Sequence, residues 1–204
     1  MTTTGPRQDV RAALLEGARD ELAEHGRAGI SLRAVARRVG VSHAAPKHHF
    51  GDRAGLLTAI AAEGFDALTA ALVAAEETAA DEQATPEQRI NGLGRAYVDY
   101  GLRHPALFDL MFRPAELHQD DPELARAQAG ALSALSSAAA AIAPTETAPS
   151  GIPVLALTSW ALAHGLVVLA RDGALQGAAG ADPTDLALPL ELIGQFGRVV
   201  RGEN

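Results

Sequence analysis

Apolar residues recur along this chain at intervals of three and four, and almost no segment alternates as a β-strand does. The composition supports the same conclusion, because 48% hydrophobic and 21% charged residues are globular proportions that argue against disorder. Aromatic residues make up only 4%. The pattern therefore predicts an all-α fold of about nine helices.

Breaks in the helical pattern locate these helices. Segments rich in Gly, Pro, Asp or Thr separate the helices. Ser31, Ser42 and Asp52 stand where N-caps are expected, and Gly26 and Gly40 stand where helices should end. The expected helices run over about 8–25, 32–39, 42–49, 53–77, 87–103, 105–112, 122–141, 152–175 and 184–201.

Charge is distributed unevenly. The net charge is −8, yet residues 1–55 hold nine basic and six acidic side chains and so carry +3, which leaves −11 for residues 56–204. A basic end on an acidic body predicts one surface that attracts polyanions such as nucleic acid.

The absence of cysteine excludes disulfides, thiolate zinc sites and cysteine nucleophiles. The polar stretch Met1–Pro6 has no apolar signal region, so a cytoplasmic protein is expected. Residues 151–170 approach the length of a membrane span, with His164 as their only ionisable side chain. Polar residues and prolines dilute this stretch, which predicts a buried interface helix and no membrane partner.

Two short helices around Gly40 form a helix-turn-helix pattern. The second helix, expected over 42–49, has small residues at Ala44 and Ala45 and so can approach a major groove about 12 Å wide. Its outer side offers hydroxyl, imidazole and ammonium donors. The spacing therefore predicts that this helix reads DNA. We expect Lys47, and Arg53 just beyond the helix, to bind phosphate, whereas His43 should face base edges.

Residues 10–57 resemble the TetR (tetracycline-repressor) family of bacterial regulators. The motifs that carry the resemblance are Ile30-Ser31-Leu32-Arg33-Ala34-Val35-Ala36, Gly40-Val41-Ser42, His49-Phe50-Gly51-Asp52-Arg53 and Leu56-Leu57. The family usually has Tyr where this chain has Lys47, and Lys can also contact phosphate. The DNA-contact residues that the resemblance implies are Ser31, Arg33, Ser42, His43, Ala44, Lys47, His48, His49 and Arg53.

The C-terminal part resembles a branch of the family marked by Trp160, His164 and Gly165. In that branch this region binds small ligands and forms the dimer. The candidate ligand residues are Tyr97, Tyr100, Phe108, Met111, Phe112, Trp160 and His164. Aromatic and Met stripes also fill helical cores, so a pocket and a core remain open alternatives for this group. For His164, the pattern favours a hydrogen-bonded interior residue or a residue packed at the subunit contact over a ligand contact or a pH-sensitive switch.

The dimer is expected to form through the helices at about 152–175 and 184–201. The first is apolar around most of its circumference, and small residues such as Gly165 would let another helix approach closely. In the second, Leu186, Leu190, Ile193, Phe196 and Val200 are spaced by three and four. Two helices from each subunit would form a four-helix bundle.

These observations predict a ligand-responsive transcriptional repressor that binds an inverted-repeat operator as a homodimer. Residues 1–55 would bind DNA, 56–204 would bind effector and partner, and the fourth helix, about 53–77, would connect them. We expect no catalytic site, cofactor or metal, because no nucleophile–base, phosphate-loop or metal-ligand spacing occurs. The alternative is a helical carrier or enzyme whose basic head is incidental.

Overall fold

The computed structural model describes residues 6–142 and 146–200, and the side chains of residues 10–142 and 146–195. These ranges contain ten α-helices, one 3₁₀ turn and no strand, which confirms the all-α prediction. The helices are α1 Pro6–Gly29, α2 Leu32–Val39, α3 Ala45–Phe50, α4 Arg53–Asp81, α5 Pro86–Arg103, α6 Pro105–Met111, α7 Pro122–Ile142, α8 Val154–Arg171, α9 Ala174–Ala179 and α10 Ala187–Val200; the 3₁₀ turn is Pro114–Glu116.

The helices form two compact units. The first comprises Met1–Asp66 and Ala106–Gln128, and the second comprises Ala67–Pro105 and Ala129–Asn204. The chain therefore passes from one unit to the other inside α4, at the start of α6 and inside α7. The predicted functional boundary at residue 55 stays a prediction, since compactness alone does not assign function.

In the first unit, α1 and α2 pack closely. Leu14, Ala18 and Leu22 on α1 are buried, as their spacing predicts, and so is Val35 on α2. A Cβ at Gly17 would lie only 2.6 Å from a methyl carbon of Val39, so a side chain there would push α2 away. Ser31 caps α2, since its hydroxyl oxygen accepts a hydrogen bond from the Ala34 amide at 3.2 Å.

The start of the third helix was wrongly predicted. We expected it at Ser42, with that residue as N-cap, but α3 begins at Ala45 and Ala44 occupies the cap position without a side-chain bond. Pro46 explains the difference. A helix starting at Ser42 would set the Pro46 ring against the Ser42 carbonyl, whereas near the first helical position proline loses no hydrogen bond.

In the second unit, α5 packs against both α8 and α10, and α8 contacts α9. Val98, Val167 and Ile193 are among the side chains buried there. A capping box starts α5, because the Thr85 hydroxyl accepts from the Gln88 amide at 3.3 Å and the Gln88 side chain accepts from the Thr85 amide at 2.7 Å.

The predicted helix at 152–175 is two helices in the structure. The first, α8, ends at Arg171, and Gly173 adopts a left-handed φ of 73° before α9 begins. Glycine makes that reversal without steric cost, which helical periodicity alone does not reveal. Of the residues expected on the last helix, Phe196 and Val200 have side chains outside the described ranges.

Two helices, Arg53–Asp81 and Val154–Arg171, are long and apolar enough to cross a bilayer by length and composition. This is weak support for a membrane span, since core helices of soluble proteins satisfy the same criterion. In α4, 56% of the most apolar window is buried, against 28% in α8. A smaller share of the residues of α8 than of α4 is therefore buried within one chain.

Candidate nucleic-acid interface

The helix α3 presents a polar outer side on an apolar support. Pro46 is buried, and His49 and Phe50 are half-buried. The exposed residues in and just before this helix are Ser42, His43, Ala44, Lys47 and His48. Five of the predicted DNA-contact residues therefore share one exposed segment that a groove could receive.

Several cations of the first unit are neutralised by nearby carboxylates. Arg19 lies 2.9 Å from Glu63, and Arg38 donates from Nε to Glu21 at 2.7 Å and from Nη1 to Glu24 at 2.9 Å. The hydrogen bond that Arg38 donates to Glu24, followed by the one it donates to Glu21, raises the pKa of its guanidinium. Because these cations are paired with carboxylates of the same unit, they contribute little positive potential for attracting an external polyanion.

Three other cations have no such partner. In the part of the chain whose side chains are described, Arg33, Arg37 and Lys47 are exposed and no carboxylate forms a salt bridge with them. Arg33 and Arg37 lie four residues apart and so share one face of α2. Arg37 was absent from the predicted contacts, although its spacing from Arg33 could have indicated it.

Arg53 occupies a different environment. Its Nε donates to the Ile30 carbonyl at 3.2 Å, its Nη2 donates to the Arg27 carbonyl, and its Nη1 lies 3.4 Å from a Glu116 carboxylate oxygen. The predicted phosphate contact of Arg53 stays a prediction, but every nitrogen of this side chain has an acceptor within the unit.

The seven candidate ligand residues do not form one cluster. Phe108, Met111 and Phe112 belong to the first unit, where the ring centres of Phe112 and Phe65 lie 5.4 Å apart in edge-to-face contact. Tyr97, Tyr100, Trp160 and His164 belong to the second unit.

Three of these residues form a hydrogen-bonded chain in the second unit. Trp160 Nε1 donates to the Tyr97 hydroxyl at 3.0 Å, and that hydroxyl lies 3.0 Å from His164 Nδ1. Because the indole can only donate, the Tyr97 hydroxyl accepts from it and can donate its own proton to Nδ1 of a neutral His164. Burial raises the pKa of Tyr97, which keeps this hydroxyl protonated.

Burial also shifts the pKa values of His164 and Tyr100. Burial lowers the pKa of His164, and the charge of Arg171 lowers it further, so the neutral imidazole is favoured. The ring of Tyr100 packs against that of His104, with centres 4.8 Å apart and planes tilted by 47°. Burial raises the pKa of Tyr100 to about 12. Within the described residues, no three His, Asp or Glu side chains converge as a metal site.

Two family descriptions match the chain without overlap. Residues 14–60 match "Bacterial regulatory proteins, tetR family", and residues 90–189 match "Tetracyclin repressor-like, C-terminal domain". The first match contains α2, α3 and their turn, and the second contains the Trp160–Tyr97–His164 chain. The chain belongs to the TetR family.

Known proteins similar to this TetR-family chain agree with the assignment. It is 29% identical over 107 residues to the HTH-type transcriptional regulator Rv1816 of Mycobacterium tuberculosis, covering 52% of this chain and 44% of that protein. It is 43% identical over 82 residues to the HTH-type transcriptional repressor AcnR of Corynebacterium diphtheriae, covering 38% and 42%. The chain thus matches less than half the length of these curated relatives.

Solved structures share the fold over nearly the whole chain. A Rhodococcus sp. RHA1 protein of unknown function is 32% identical, with a TM-score of 0.76 and coverage of 98% of this chain and 96% of that one. The TetR family regulator PfmR of Thermus thermophilus is 19% identical, with a TM-score of 0.61 and coverage of 92% and 96%, and shares the fold alone.

The lowered pKa of His164 predicts a pH-dependent stability. Below its ordinary pKa of 6.5 the unfolded chain takes up a proton that the folded TetR-family protein resists, so the free energy of unfolding falls as pH falls. Above pH 6.5, where the imidazole is neutral in both the folded and the unfolded protein, His164 causes no such loss of stability. Urea unfolding can be measured between pH 7.5 and 5, at steps of roughly half a pH unit around the usual histidine pKa. The free energy of unfolding should fall less steeply with falling pH in His164→Gln than in the parent protein.

His104→Gln serves as the matched control, because His104 lies in the same compact unit but is exposed to solvent. Equal declines in the parent protein and His164→Gln would contradict the role assigned to the half-buried imidazole.

Proposed function

We propose that this protein is a ligand-responsive repressor that binds an inverted-repeat DNA operator as a homodimer. The observation that carries the proposal is the exposed outer side of α3, with three cations in α2 and α3 that none of the carboxylates with described side chains neutralises. Such a surface breaks few existing ion pairs when it meets phosphate, and it releases counterions from DNA. Family membership and the names of its curated relatives support the same function.

The dimer contact is proposed on α8. Val154, Ala161, Gly165 and Leu169 lie on one face at spacings of seven and four, and Val154 and Leu169 are 41% and 47% exposed. A Cβ at Gly165 would meet nothing within 4 Å. An apolar face left uncovered on a helix otherwise packed against α5 and α10 favours the same face of a second copy.

The switch is proposed to run through α4. This helix belongs to both compact units, so an effector that binds one state of the second unit more tightly shifts the population of states available to the first. The Tyr97–His164–Trp160 chain is the proposed polar anchor for the effector. We place the protein in the cytoplasm, where DNA would be available to it.

Sequencing of genomic fragments retained by the purified protein tests this function. The retained fragments should share an inverted repeat whose half-sites are separated by about one helical turn, roughly 34–36 Å, or by a multiple of it. Retention that is insensitive to salt and shows no shared sequence, together with turnover or tight binding of a metabolite, would favour the rival carrier or enzyme instead.

A further inference from the structure

Arg53 and Glu116 contact each other although 63 positions separate them in the chain. We infer that Glu116 and Arg53 form an ionic latch that positions the helix-turn-helix for DNA, and that Arg53 acts through this latch without contacting phosphate. The inference rests on the proposed DNA-binding function. All residues that carry it lie in the first compact unit.

Glu116 joins two guanidinium groups through one carboxylate. One of its oxygens accepts from Arg27 Nη1, and the other lies 3.4 Å from Arg53 Nη1. Its side chain is only 21% exposed, so this charge is less screened than that of a surface pair. Without the carboxylate, the two guanidinium groups that contact its two oxygens would lie near each other with no shared counter-charge.

Arg27 is itself held from two sides. Its Nε donates to Asp109 on α6 at 3.0 Å, in addition to the bond from Nη1 to Glu116. The hydrogen bond to Asp109, and then the charge of Glu116, raise the pKa of Arg27. The latch therefore connects the end of α1 with both α6 and the 3₁₀ turn.

Arg53 contributes the link to α4. It is the first residue of that helix, and it donates to the carbonyl of Arg27 in the last turn of α1 and to the carbonyl of Ile30 just after α1. Carbonyls at a helix C-terminus lack partners within the helix, and a cation satisfies them well. One side chain thus fixes the start of α4 against the segment that leads into α2.

The segment that carries Glu116 is itself held along α4. The His118 amide donates to the Thr58 hydroxyl at 2.9 Å, and Thr58 is buried. Farther along, a Cβ at Gly64 would lie 2.8 Å from the Met111 sulfur, so α4 and α6 approach too closely there for a larger side chain. Glu116 is therefore held by packing on both sides, as a positioning group needs to be.

The latch and a simple phosphate contact predict opposite effects for one variant. In a protein that binds DNA, neutralising a carboxylate should strengthen binding by removing repulsion from phosphate. If Glu116 instead holds the helix-turn-helix in place, Glu116→Gln should weaken binding. We expect a loss of about tenfold, within the usual range of coupling between sites.

The experiment measures binding of the full chain to a mixed-sequence duplex and to the best genomic fragment, over a range of salt concentrations. The variants are Glu116→Gln, Arg53→Gln and, as matched control, Glu63→Gln, whose partner Arg19 lies outside the latch. Glu116→Gln and Arg53→Gln should each weaken binding to the genomic fragment about tenfold, and the double variant should be no weaker. Arg53→Gln should leave the salt slope unchanged, and Glu63→Gln should bind at least as well as the parent protein.

Two results would overturn the latch. The first is Glu116→Gln binding as tightly as Glu63→Gln, and the second is Arg53→Gln flattening the salt slope by about two units, as loss of one phosphate contact from each subunit of a dimer would. Thermal unfolding shows whether Glu116→Gln folds. If it does not fold, the latch is tested by the salt slope of Arg53→Gln and by the DNA binding of Glu116→Asp, which keeps the charge. If the parent protein shows no salt-dependent DNA binding, the proposed function fails and the latch falls with it; normal parent binding with unaffected latch variants overturns the latch alone.

Discussion

Gly165→Arg is expected to convert the dimer into monomers and to abolish operator binding. The structure leaves open space around Gly165, where an added Cβ meets nothing within 4 Å, so the new side chain should not disturb its own subunit. In the proposed dimer, however, it would place a charge in an apolar contact. A standard interface of ~1,600 Å² cannot tolerate two unpaired, symmetry-related charges at its centre.

Sedimentation velocity of the variant and of the parent protein measures the change, and an operator-binding assay follows it. One head alone makes half the DNA contacts, which is why dissociation should remove specific binding as well. Gly177→Arg is the matched control, since Gly177 lies in α9, also faces open space and takes the same added charge. A Gly165→Arg protein that stays dimeric and binds DNA normally would place the interface elsewhere.

Combined neutralisation of Arg33, Arg37 and Lys47 should remove most of the salt dependence of DNA binding. Each phosphate contact contributes about 0.9 to the slope of log affinity against log salt, and a dimer would present two copies of three cations. The triple Ala variant should therefore flatten the slope by about five units. Its far-ultraviolet circular dichroism should not change, because all three side chains are exposed.

The control for charge is the combined variant Arg19→Gln and Glu63→Gln. It removes an existing ion pair of 2.9 Å from the same unit and leaves the net charge unchanged. Its salt slope should match that of the parent protein. A triple variant with an undiminished slope would show that DNA meets a different surface.

Much of the fold was predictable because the signals are local. Ser31 predicts the start of α2, Gly40 its end, and Asp52 the start of α4, where its carboxylate accepts from the Gly55 amide at 2.8 Å. Each of these signals acts across three or four residues, within the reach of sequence patterns. The exposed face of α8 was likewise predictable from the excess of apolar residues around the helix.

The features that escaped prediction depend on distant parts of the chain. Arg53 lies in a motif that implies phosphate contact, and only the fold brings Glu116 to it. Tyr97 and Phe108 are close in the sequence and look like one aromatic group, yet they belong to different compact units. Periodicity shows which face of a helix is buried but not which helix covers it.

The central claim is that the outer side of α3 and its neighbouring cations bind DNA as part of a symmetric dimer. The most direct test is a salt titration of parent-protein binding to the selected genomic fragment. We expect a log–log slope of about −5 or steeper, from six phosphate contacts at about 0.9 each. A slope near zero, or a slope of about half that value with one protein chain bound per fragment, would contradict the claim.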